Sequence, residues 1–503
     1  MSLRTVRGVV GILIWLFVVA PAGANDRSPP SGRLAELRRQ AQERAKQPFQ
    51  PDRVELPQAL RDLDYDGYRA ISFRSQRALW VAEKLPFQVE FFHRGYLFPQ
   101  RVRVFILEDG QRREVAFSPR LFDYSQSAVQ PEELPEDLGF AGLRLLYPIH
   151  QADRHHEFIS FLGASYFRSL GAHQVYGASA RGLAVGMGSP IEEFPYFETF
   201  WVEEPSAGAR TITMYALLDS ASVTGAYRFD IGPGETTLVE VRAEVFARTS
   251  FNDVGVAPLT SMYFYGRNGP KRLQNSRPEV HDSDGLLLDN GAGEWTWRPL
   301  WNPETISLST LQVEAVKGFG LIQRARDPCD YRDPRTSYER RPSIWVEPLA
   351  DWRDGGIRLL ELPSDGEGQD NIGACWIPPA SFSAAGSLSL EYRLHFGKSV
   401  PEPNGIGKVV ATRWSESSGT ATRFAVDFDL GAAGADPQQA PEAVVTASAG
   451  EVSAVQTRRD PATGHWRTTF EASPHGGQIM EIRAFLQQDE RKLTEVWNFA
   501  WPR

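Results

Sequence analysis

Two groups of carboxylic acids lie among aromatic residues in the second half of the sequence. Asp282 and Asp284 belong to the segment 279–285, and Glu367 and Asp370 lie shortly before Trp376. Hydrolysis of a glycoside needs one protonated carboxyl for the leaving oxygen and a second carboxylate that activates water. An aromatic, apolar pocket raises a carboxyl pKa and so supplies the acid. The alternative is that these residues only shape turns, since Asp-Gly and Asp-Asn pairs favour turns.

The stretch 316–378 around the second group mixes charged residues, Trp and Gly without one helical or strand period. Six of the thirteen tryptophans lie between Trp295 and Trp376. This mixture suits a sugar, which presents hydroxyls at its rim and apolar C–H faces. Equally, the tryptophans could fill a β-sandwich core, because aromatic side chains dominate cores as well as binding sites.

Other common chemistries lack their signatures. His155 and His156 are adjacent, and no H-x-x-x-H or C-x-x-C spacing occurs, so we expect no metal site. The segment 281–285 resembles part of a calcium loop but lacks the downstream Glu. The sequence has no G-x-S-x-G elbow and no glycine loop for phosphates or dinucleotides, so no cofactor is expected.

The N-terminus has the pattern of a secretory signal peptide over residues 1–24. Arg4 and Arg7 precede an apolar run over 8–20, and Ala22-Gly23-Ala24 predicts cleavage after Ala24. The run is too short for a stable membrane span, so we expect none in the mature chain. The two arginines are not a twin-arginine pair, which favours ordinary export and a periplasmic location.

The net charge narrows the possible binding partners. The formal charge of −9 becomes −11 once Arg4 and Arg7 are removed, and so acidic a protein is a poor candidate for binding nucleic acid.

Export would permit a disulfide between Cys329 and Cys375. Two free, buried thiols are an equally good interpretation.

Strand patterns dominate the first 396 residues. Residues 25–50 are predicted to form a short helical or disordered lead, ended by prolines, and a turn at Asp66-Gly67 is followed by the alternating run Tyr68, Ala70, Ser72. Further strands are predicted over 87–92, 101–107, 142–149, 211–218, 226–231, 238–246 and 387–396. Regular short strands separated by turn residues predict a large antiparallel β-sandwich over 51–396.

A second, smaller domain follows a linker. The segment 397–408 holds two prolines and several glycines and is incompatible with regular structure. Residues 409–503 contain about seven short strand patterns, which is the size of an immunoglobulin-like β-sandwich. The sequence therefore predicts an all-β protein of two domains.

Several stretches resemble the G/D family of osmoregulated periplasmic glucan biosynthesis proteins. They include HDSDG at 281–285, YERRPS at 338–343 and DNIGACWIPP at 370–379. The matching segments run in order across most of the first domain: 68–80, 161–185, 192–205, 255–266, 277–286, 293–300, 317–327, 338–348 and 370–379. The resemblance implies a large sandwich related to sugar-mutarotase folds, followed by a small immunoglobulin-like domain.

The resemblance also implies an activity and residues for it. The family is required for making periplasmic β-1,2-glucans, and some members are inverting β-1,2-glucan hydrolases or transglycosylases. Asp370 would then be the general acid and Asp282 the base, acting through a relay of waters with Tyr338 as a relay partner. From residue type and closeness in sequence, five residues are expected to line the glucan groove: Glu367, Arg341, Trp297, Trp345 and Trp376.

This sequence departs from the family pattern near the proposed acid. The family usually has an aromatic residue where this chain has Pro328-Cys329, and a bulkier, β-branched residue where it has Gly373. The loop 364–369 is rich in glycine, and mobility there would weaken catalysis or change the acceptor. The missing twin-arginine pair favours a G-type over a D-type member.

Two functional hypotheses follow. In the first, the protein is an enzyme that cuts or transfers β-1,2-glucan. In the second, it is a non-catalytic glucan-binding partner that assists a membrane glucan synthase, and the acidic residues only hydrogen-bond sugar. Replacing Asp370 by Asn separates the two, because the loss of a proton donor acts on the transition state and not on affinity.

Overall fold

The structure, a computed structural model, describes residues 32–501 apart from 53, 251–252, 270–274, 380–382, 418–420, 432, 434–438 and 476–478. The predicted signal peptide and its cleavage site lie outside the described residues. Within those residues, no helix combines the length and apolar character needed to cross a bilayer.

Helices are few and mostly short. The α-helices are α1 Gly32–Ala45, α2 Gln58–Arg61, α3 Tyr65–Arg69 and α4 Pro328–Tyr331. The 3₁₀ turns are Ser75–Arg77, Pro119–Leu121, Pro131–Glu133 and Tyr338–Arg340. Helix α1 buries its apolar stripe, Leu34, Leu37 and Ala41, against Phe105 and Trp201 on a sheet face, as an amphipathic helix does.

Strands make up most of the described chain. The first thirteen are β1 Ser72–Phe73, β2 Gln88–Phe92, β3 Arg103–Glu108, β4 Gln111–Glu114, β5 Phe122–Asp123, β6 Gly142–Gln151, β7 Arg154–Leu162, β8 Tyr166–Ser169, β9 Ser179–Arg181, β10 Leu183–Val185, β11 Tyr196–Glu203, β12 Ile212–Asp219 and β13 Val223–Gly232. The next twelve are β14 Thr236–Ala247, β15 Val254–Ser261, β16 Tyr263–Tyr265, β17 Val280–His281, β18 Gly285–Asp289, β19 Trp295–Pro299, β20 Ser307–Ala315, β21 Gly318–Ile322, β22 Ser343–Pro348, β23 Arg353–Glu361, β24 Ile372–Ile377 and β25 Ser387–Gly397. The last eight are β26 Lys408–Glu416, β27 Thr422–Asp429, β28 Glu442–Ala447, β29 Glu451–Arg459, β30 Trp466–Ser473, β31 Met480–Gln488, β32 Arg491–Lys492 and β33 Val496–Trp501. The all-β prediction is confirmed.

Two large sheets enclose the main core. One follows the order β2-β6-β7-β8-β9-β15-β24-β23-β20, with β10 paired to β15. The other contains the run β18-β21-β22-β25-β14-β13-β12-β11-β3-β4. Phe161 of β7 packs on Phe229 of β13, with 5.3 Å between the ring centroids, so the two sheets face each other. The alternation of side chains in β14 supplies one of the two facing surfaces. Val239, Val241 and Val245 alternate with polar residues and are fully buried.

The C-terminal strands form a second core that is joined to the large sheet containing β18. Strands β26, β27, β30 and β29 make one sheet, and β28, β31 and β33 continue the large sheet through β19. The junction is a parallel pair in which Trp297 lies opposite Trp497. Phe424 and Phe470 from one side and Phe499 from the other share one buried cluster, so the C-terminal segment packs as an extension of the larger sheet.

Two local expectations receive an answer. The predicted turn at Asp66-Gly67 and the start of the alternating run after it are wrong, because Tyr65–Arg69 forms α3 and β1 begins only at Ser72. The Asp64 side chain caps this helix by accepting a 2.7 Å hydrogen bond from Gly67 N–H, and such a cap favours helix over strand. Cys329 is exposed and Cys375 is buried, and both thiols are free.

Candidate active site

Asp370 lies at the junction between the loop 364–370 and β24. The loop starts at Ser364, whose N–H donates to Asn302 Oδ1 at 2.9 Å. It ends at Asn371, whose side-chain amide accepts from Tyr263 N–H at 2.9 Å and donates to Tyr263 O at 3.0 Å. The glycine-rich loop is therefore anchored at both ends, and the anchor at Asn371 fixes the position of the neighbouring Asp370.

Asp282 lies in the turn between β17 and β18. Its N–H donates to Met262 O at 2.8 Å, and the hydroxyl groups of Ser283 and Ser261 are hydrogen-bonded at 2.8 Å. These contacts attach the turn to the neighbouring β15–β16 segment. The side chain of Asp282 is 4% exposed, whereas that of Asp370 is 31% exposed, so one carboxyl is enclosed and the other is open to solvent.

Arg341 is the charged partner of Asp282. It follows the 3₁₀ turn Tyr338–Arg340, and its guanidinium forms an ion pair with the Asp282 carboxylate. The same guanidinium lies over the Tyr338 ring, 4.2 Å from its centroid. Gly177 faces this side chain closely: a Cβ there would come within 2.8 Å of Arg341 Cβ. A glycine is thus required at 177 for Arg341 to keep its position.

Tyr338 connects this group to the loop of Asp370. Its hydroxyl donates a 2.6 Å hydrogen bond to Glu367 Oε2, and Arg277 donates to the same oxygen at 2.6 Å. Arg277 also reaches Asp333 at 2.8 Å. Among the described residues, no hydrogen bond joins Tyr338 to Asp282. Arg341 links the two residues, because it contacts both of them.

The three carboxylates of the site differ in their surroundings. Burial raises the pKa of Asp282; the Arg341 charge opposes this, and the negative charge of Asp370 adds to it. Burial would also raise the pKa of Glu367, but hydrogen bonds from Tyr338 and Arg277 outweigh it and lower that pKa. Asp370 accepts a 2.8 Å bond from Arg168 Nη2. Each of the three carboxylates therefore has an arginine partner.

A buried polar cluster lies behind the Asp282 turn. His281 contacts Glu279 at 2.9 Å and Gln323 at 3.0 Å. Burial disfavours its imidazolium form, yet the charges of Asp284 and Glu279 outweigh burial and raise the His281 pKa. Gln323 in turn donates to Tyr338 O at 3.3 Å, so the cluster supports the Tyr338 turn from behind.

Within the described chain, Glu279, His281 and Asp284 also have the spacing of a three-ligand metal site, with their ligand atoms within 4.8 Å of one another. Arg267 is already paired with Glu279 at 2.7 Å, and Asp284 accepts from Ala325 N–H at 2.8 Å. Because these atoms are engaged with one another and with cationic or N–H donors, we assign the three residues a positioning role.

The three tryptophans expected in a glucan groove lie in hydrophobic cores. Trp297 and Trp345 belong to the cluster shared with the C-terminal strands. Trp376 stacks on Trp352 at 4.6 Å in the main core. All three are at most 5% exposed, so we assign none of them to the site. Of the predicted residues, Asp370, Asp282, Tyr338, Glu367 and Arg341 are brought together.

The sequence reasoning missed Arg168, Arg277 and Gln323. Arg168 and Asp370 are 202 positions apart, and Arg277 and Glu367 are 90 apart, so no local spacing reveals either pair. The one available signal was that Arg168 and Arg277 both lie inside segments that resemble the family, 161–185 and 277–286.

The chain is similar to known proteins along almost its whole length. The family described as "Periplasmic glucan biosynthesis protein, MdoG" matches residues 33–501. Glucans biosynthesis protein G of Rhodopseudomonas palustris is 42% identical over 466 residues, covering 92% of each chain. The protein of the same name from Vibrio cholerae is 40% identical over 469 residues, 92% of this chain and 85% of that one.

Members of both types are similar to the chain. Glucans biosynthesis protein D 1 of Ralstonia nicotianae is 40% identical over 510 residues, 96% of this chain and 95% of that one. Identity to the G-type and D-type relatives is therefore nearly the same. A match over almost the whole length places the protein: the chain belongs to the MdoG family of periplasmic glucan biosynthesis proteins.

Proposed function

We propose that this protein acts in the periplasm on β-1,2-glucan as an inverting glycoside hydrolase or transglycosylase. The observation that carries the proposal is that an open carboxyl, Asp370, and an enclosed one, Asp282, belong to one group of side chains, linked through Arg341, Tyr338 and the Glu367 loop. They come from separate segments, and an arginine fixes each of them. An inverting glycosidase needs two carboxyl groups that play different roles on opposite faces of the sugar.

In this mechanism Asp370 is the acid. In its protonated form, before it returns to the ion pair with Arg168, the exposed carboxyl gives its proton to the glycosidic oxygen while the C1–O bond breaks. Water, or a hydroxyl of an acceptor sugar, attacks C1 from the other face, and its proton passes to Asp282. Because Asp282 is enclosed by Arg341, that proton travels through a relay of waters, with Tyr338 as a relay partner.

Glu367 and Arg341 have the chemistry to orient the sugar. The Glu367 carboxylate is held in its ionised form by Tyr338 and Arg277, so it can accept hydrogen bonds from glucose hydroxyls. The arginine donors match hydroxyl oxygens in the same way. The β-1,2 linkage itself is taken from the family resemblance.

The test is incubation of purified residues 25–503 with linear β-1,2-glucan, followed by chromatography of the products and NMR of the new reducing end. We expect shorter or cyclised glucans, with an α-anomer formed first if water is the acceptor. Linear β-1,3-glucan serves as the control substrate and should stay intact. Absence of any product, together with measurable glucan binding, would contradict the enzymatic proposal.

One observation favours a second function. Arg168 pairs with Asp370 and Arg341 pairs with Asp282, and ion-paired carboxylates suit hydrogen bonding to sugar as well as proton transfer. We therefore keep as the second candidate a non-catalytic glucan-binding partner of a membrane glucan synthase. Glucan affinity without turnover, and normal glucan synthesis in a strain carrying Asp370→Asn, would be its signature.

A further inference from the structure

A cavity of about 340 Å³ lies between the main core and the C-terminal strands. Its walls come from β21 and the segment after it, from the link between β25 and β26, and from the start of β26. Five basic residues line it, Arg267, Arg324, Arg326, Lys398 and Lys408, against two acidic ones, Asp284 and Glu402. Such an excess of cations is notable in a chain of net charge −9.

Three of the five cations are neutralised by carboxylates. Arg324 forms two hydrogen bonds with Glu495, at 2.6 and 2.9 Å. Arg267 pairs with Glu279 at 2.7 Å. Lys408 pairs with Glu402. The remaining two, Arg326 and Lys398, form no ion pair with any residue that the structure describes.

Arg326 is a largely enclosed guanidinium that has no carboxylate partner within the part of the chain that the structure describes. It donates to Glu339 O at 3.1 Å, to Ser343 Oγ at 3.1 Å and to Arg341 O. Burial lowers its pKa, while the nearby charges of Asp284 and Glu402 act on it without bonding to it. An arginine whose partners are all neutral keeps capacity for an anion, because a desolvated charge gains most from a direct counter-ion.

We propose that this cavity binds a small phosphate-bearing ligand through Arg326 and Lys398. A planar guanidinium fork suits two oxygens of a phosphate, and the flexible ammonium of the second lining residue supplies a further point charge. The volume is larger than a phosphate group needs, which leaves room for a small polar group attached to it. The site is separate from the carboxyl pair and does not depend on the proposed glucan chemistry.

Arg326 connects the cavity to Asp282 through the segment that carries Arg341. Arg326 holds the backbone of residues 339 and 341, and the Arg341 side chain pairs with Asp282. A ligand that fixes Arg326 therefore also steadies the turn that carries Tyr338 and Arg341. Occupancy of the cavity is thus expected to alter any activity that uses Asp282.

The test is isothermal titration of the full mature protein with inorganic phosphate at constant ionic strength, without glucan. We expect saturable binding at one site in the wild type. Lys398→Gln should bind about tenfold more weakly. Lys398 is exposed, so the fold should survive this change. Lys317→Gln, an exposed lysine outside the cavity, is the matched control and should bind like the wild type.

The outcomes separate cleanly. Equal affinity in wild type and Lys398→Gln, or no saturable binding at all, overturns the proposal. A loss shared by Lys398→Gln and Lys317→Gln would show only a general charge effect and would also overturn it. Because the measurement needs no glucan, it can fail while the glucan reaction is found, or succeed while that reaction is absent.

Discussion

The guanidinium of Arg168 donates a 2.8 Å hydrogen bond to the carboxylate of Asp370 across 202 positions of sequence. The two side chains are 46% and 31% exposed, so they meet at the protein surface. Arg168 thus orients the carboxyl that we propose as the acid, and it contributes little to the fold, because exposed ion pairs stabilise weakly.

Replacing Arg168 by Gln should therefore change activity much more than stability. The free energy of unfolding should change by less than about 1 kcal/mol, while turnover of β-1,2-glucan should fall about tenfold or more, because Asp370 loses its orientation. Denaturant unfolding and initial rates measure the two effects. Arg423→Gln, which removes an exposed pair with Glu471 far along the chain, should leave the rate unchanged.

Arg341→Gln should move the acidic limb of the pH–rate profile. Asp282 must be ionised to act as base, so activity is lost as the pH falls through its pKa. That pKa is already raised by burial, and Arg341 holds it down. Without Arg341 the limb should move to higher pH, because the opposing positive charge is lost. Arg340→Gln, the exposed neighbour, should leave the limb in place; an unmoved limb in Arg341→Gln would refute the base assignment.

Tyr338→Phe should lower turnover by about 100-fold, because the relay partner is lost and Glu367 loses one of its two donors. The stability cost should be about 1 kcal/mol for one hydrogen bond. Tyr331→Phe is the control: its hydroxyl bonds Ala325 O and Gln323 instead. If both variants lose the same rate, the effect is structural and Tyr338 has no role in the relay.

Glu361 offers a prediction about stability and pH. Burial raises its pKa from 4.5 to about 7, against the opposing charge of Arg298 and hydrogen bonds from Trp301. The folded state therefore binds this proton more tightly than the unfolded state. The resulting stability is fully present below pH 4.5 and is lost as pH rises through about 7, roughly 3 kcal/mol in all.

Glu361→Gln should flatten this dependence. Melting temperatures measured between pH 5 and 8 should fall less for the variant than for the wild type. Glu391→Gln, which removes the same charge from an exposed position on β25, should follow the wild-type curve. Parallel curves for wild type and Glu361→Gln would contradict the raised pKa.

Strand positions were accessible from sequence because burial alternates along them. Val239, Val241 and Val245 of β14 are buried with polar residues between them, and this alternation is visible in the letters alone. The turn and alternating run predicted at 66–72 are wrong at their start, where the Asp64 side chain caps helix α3.

Only part of the candidate site could be predicted from the sequence. Asp282 and Asp370 could be selected from their residue type and the family motifs. Residue type does not tell a core tryptophan from a sugar platform, and Trp297, Trp345 and Trp376 lie in cores. The arginine partners of the carboxylates come from distant segments. The contact of Arg168, in β8, with Asp370, at the end of the 364–370 loop, is therefore visible only in the three-dimensional structure.

The most direct measurement compares Asp370→Asn with the wild type on linear β-1,2-glucan, recording kcat and the glucan Kd separately. Loss of the proton donor should lower kcat by about 10²–10⁴-fold, while Kd stays nearly unchanged because the amide still hydrogen-bonds sugar. Asp365→Asn, an exposed aspartate in the same loop, should match the wild type. Equal kcat for wild type and Asp370→Asn, or no turnover by the wild type, would contradict the assignment of Asp370 as the catalytic acid.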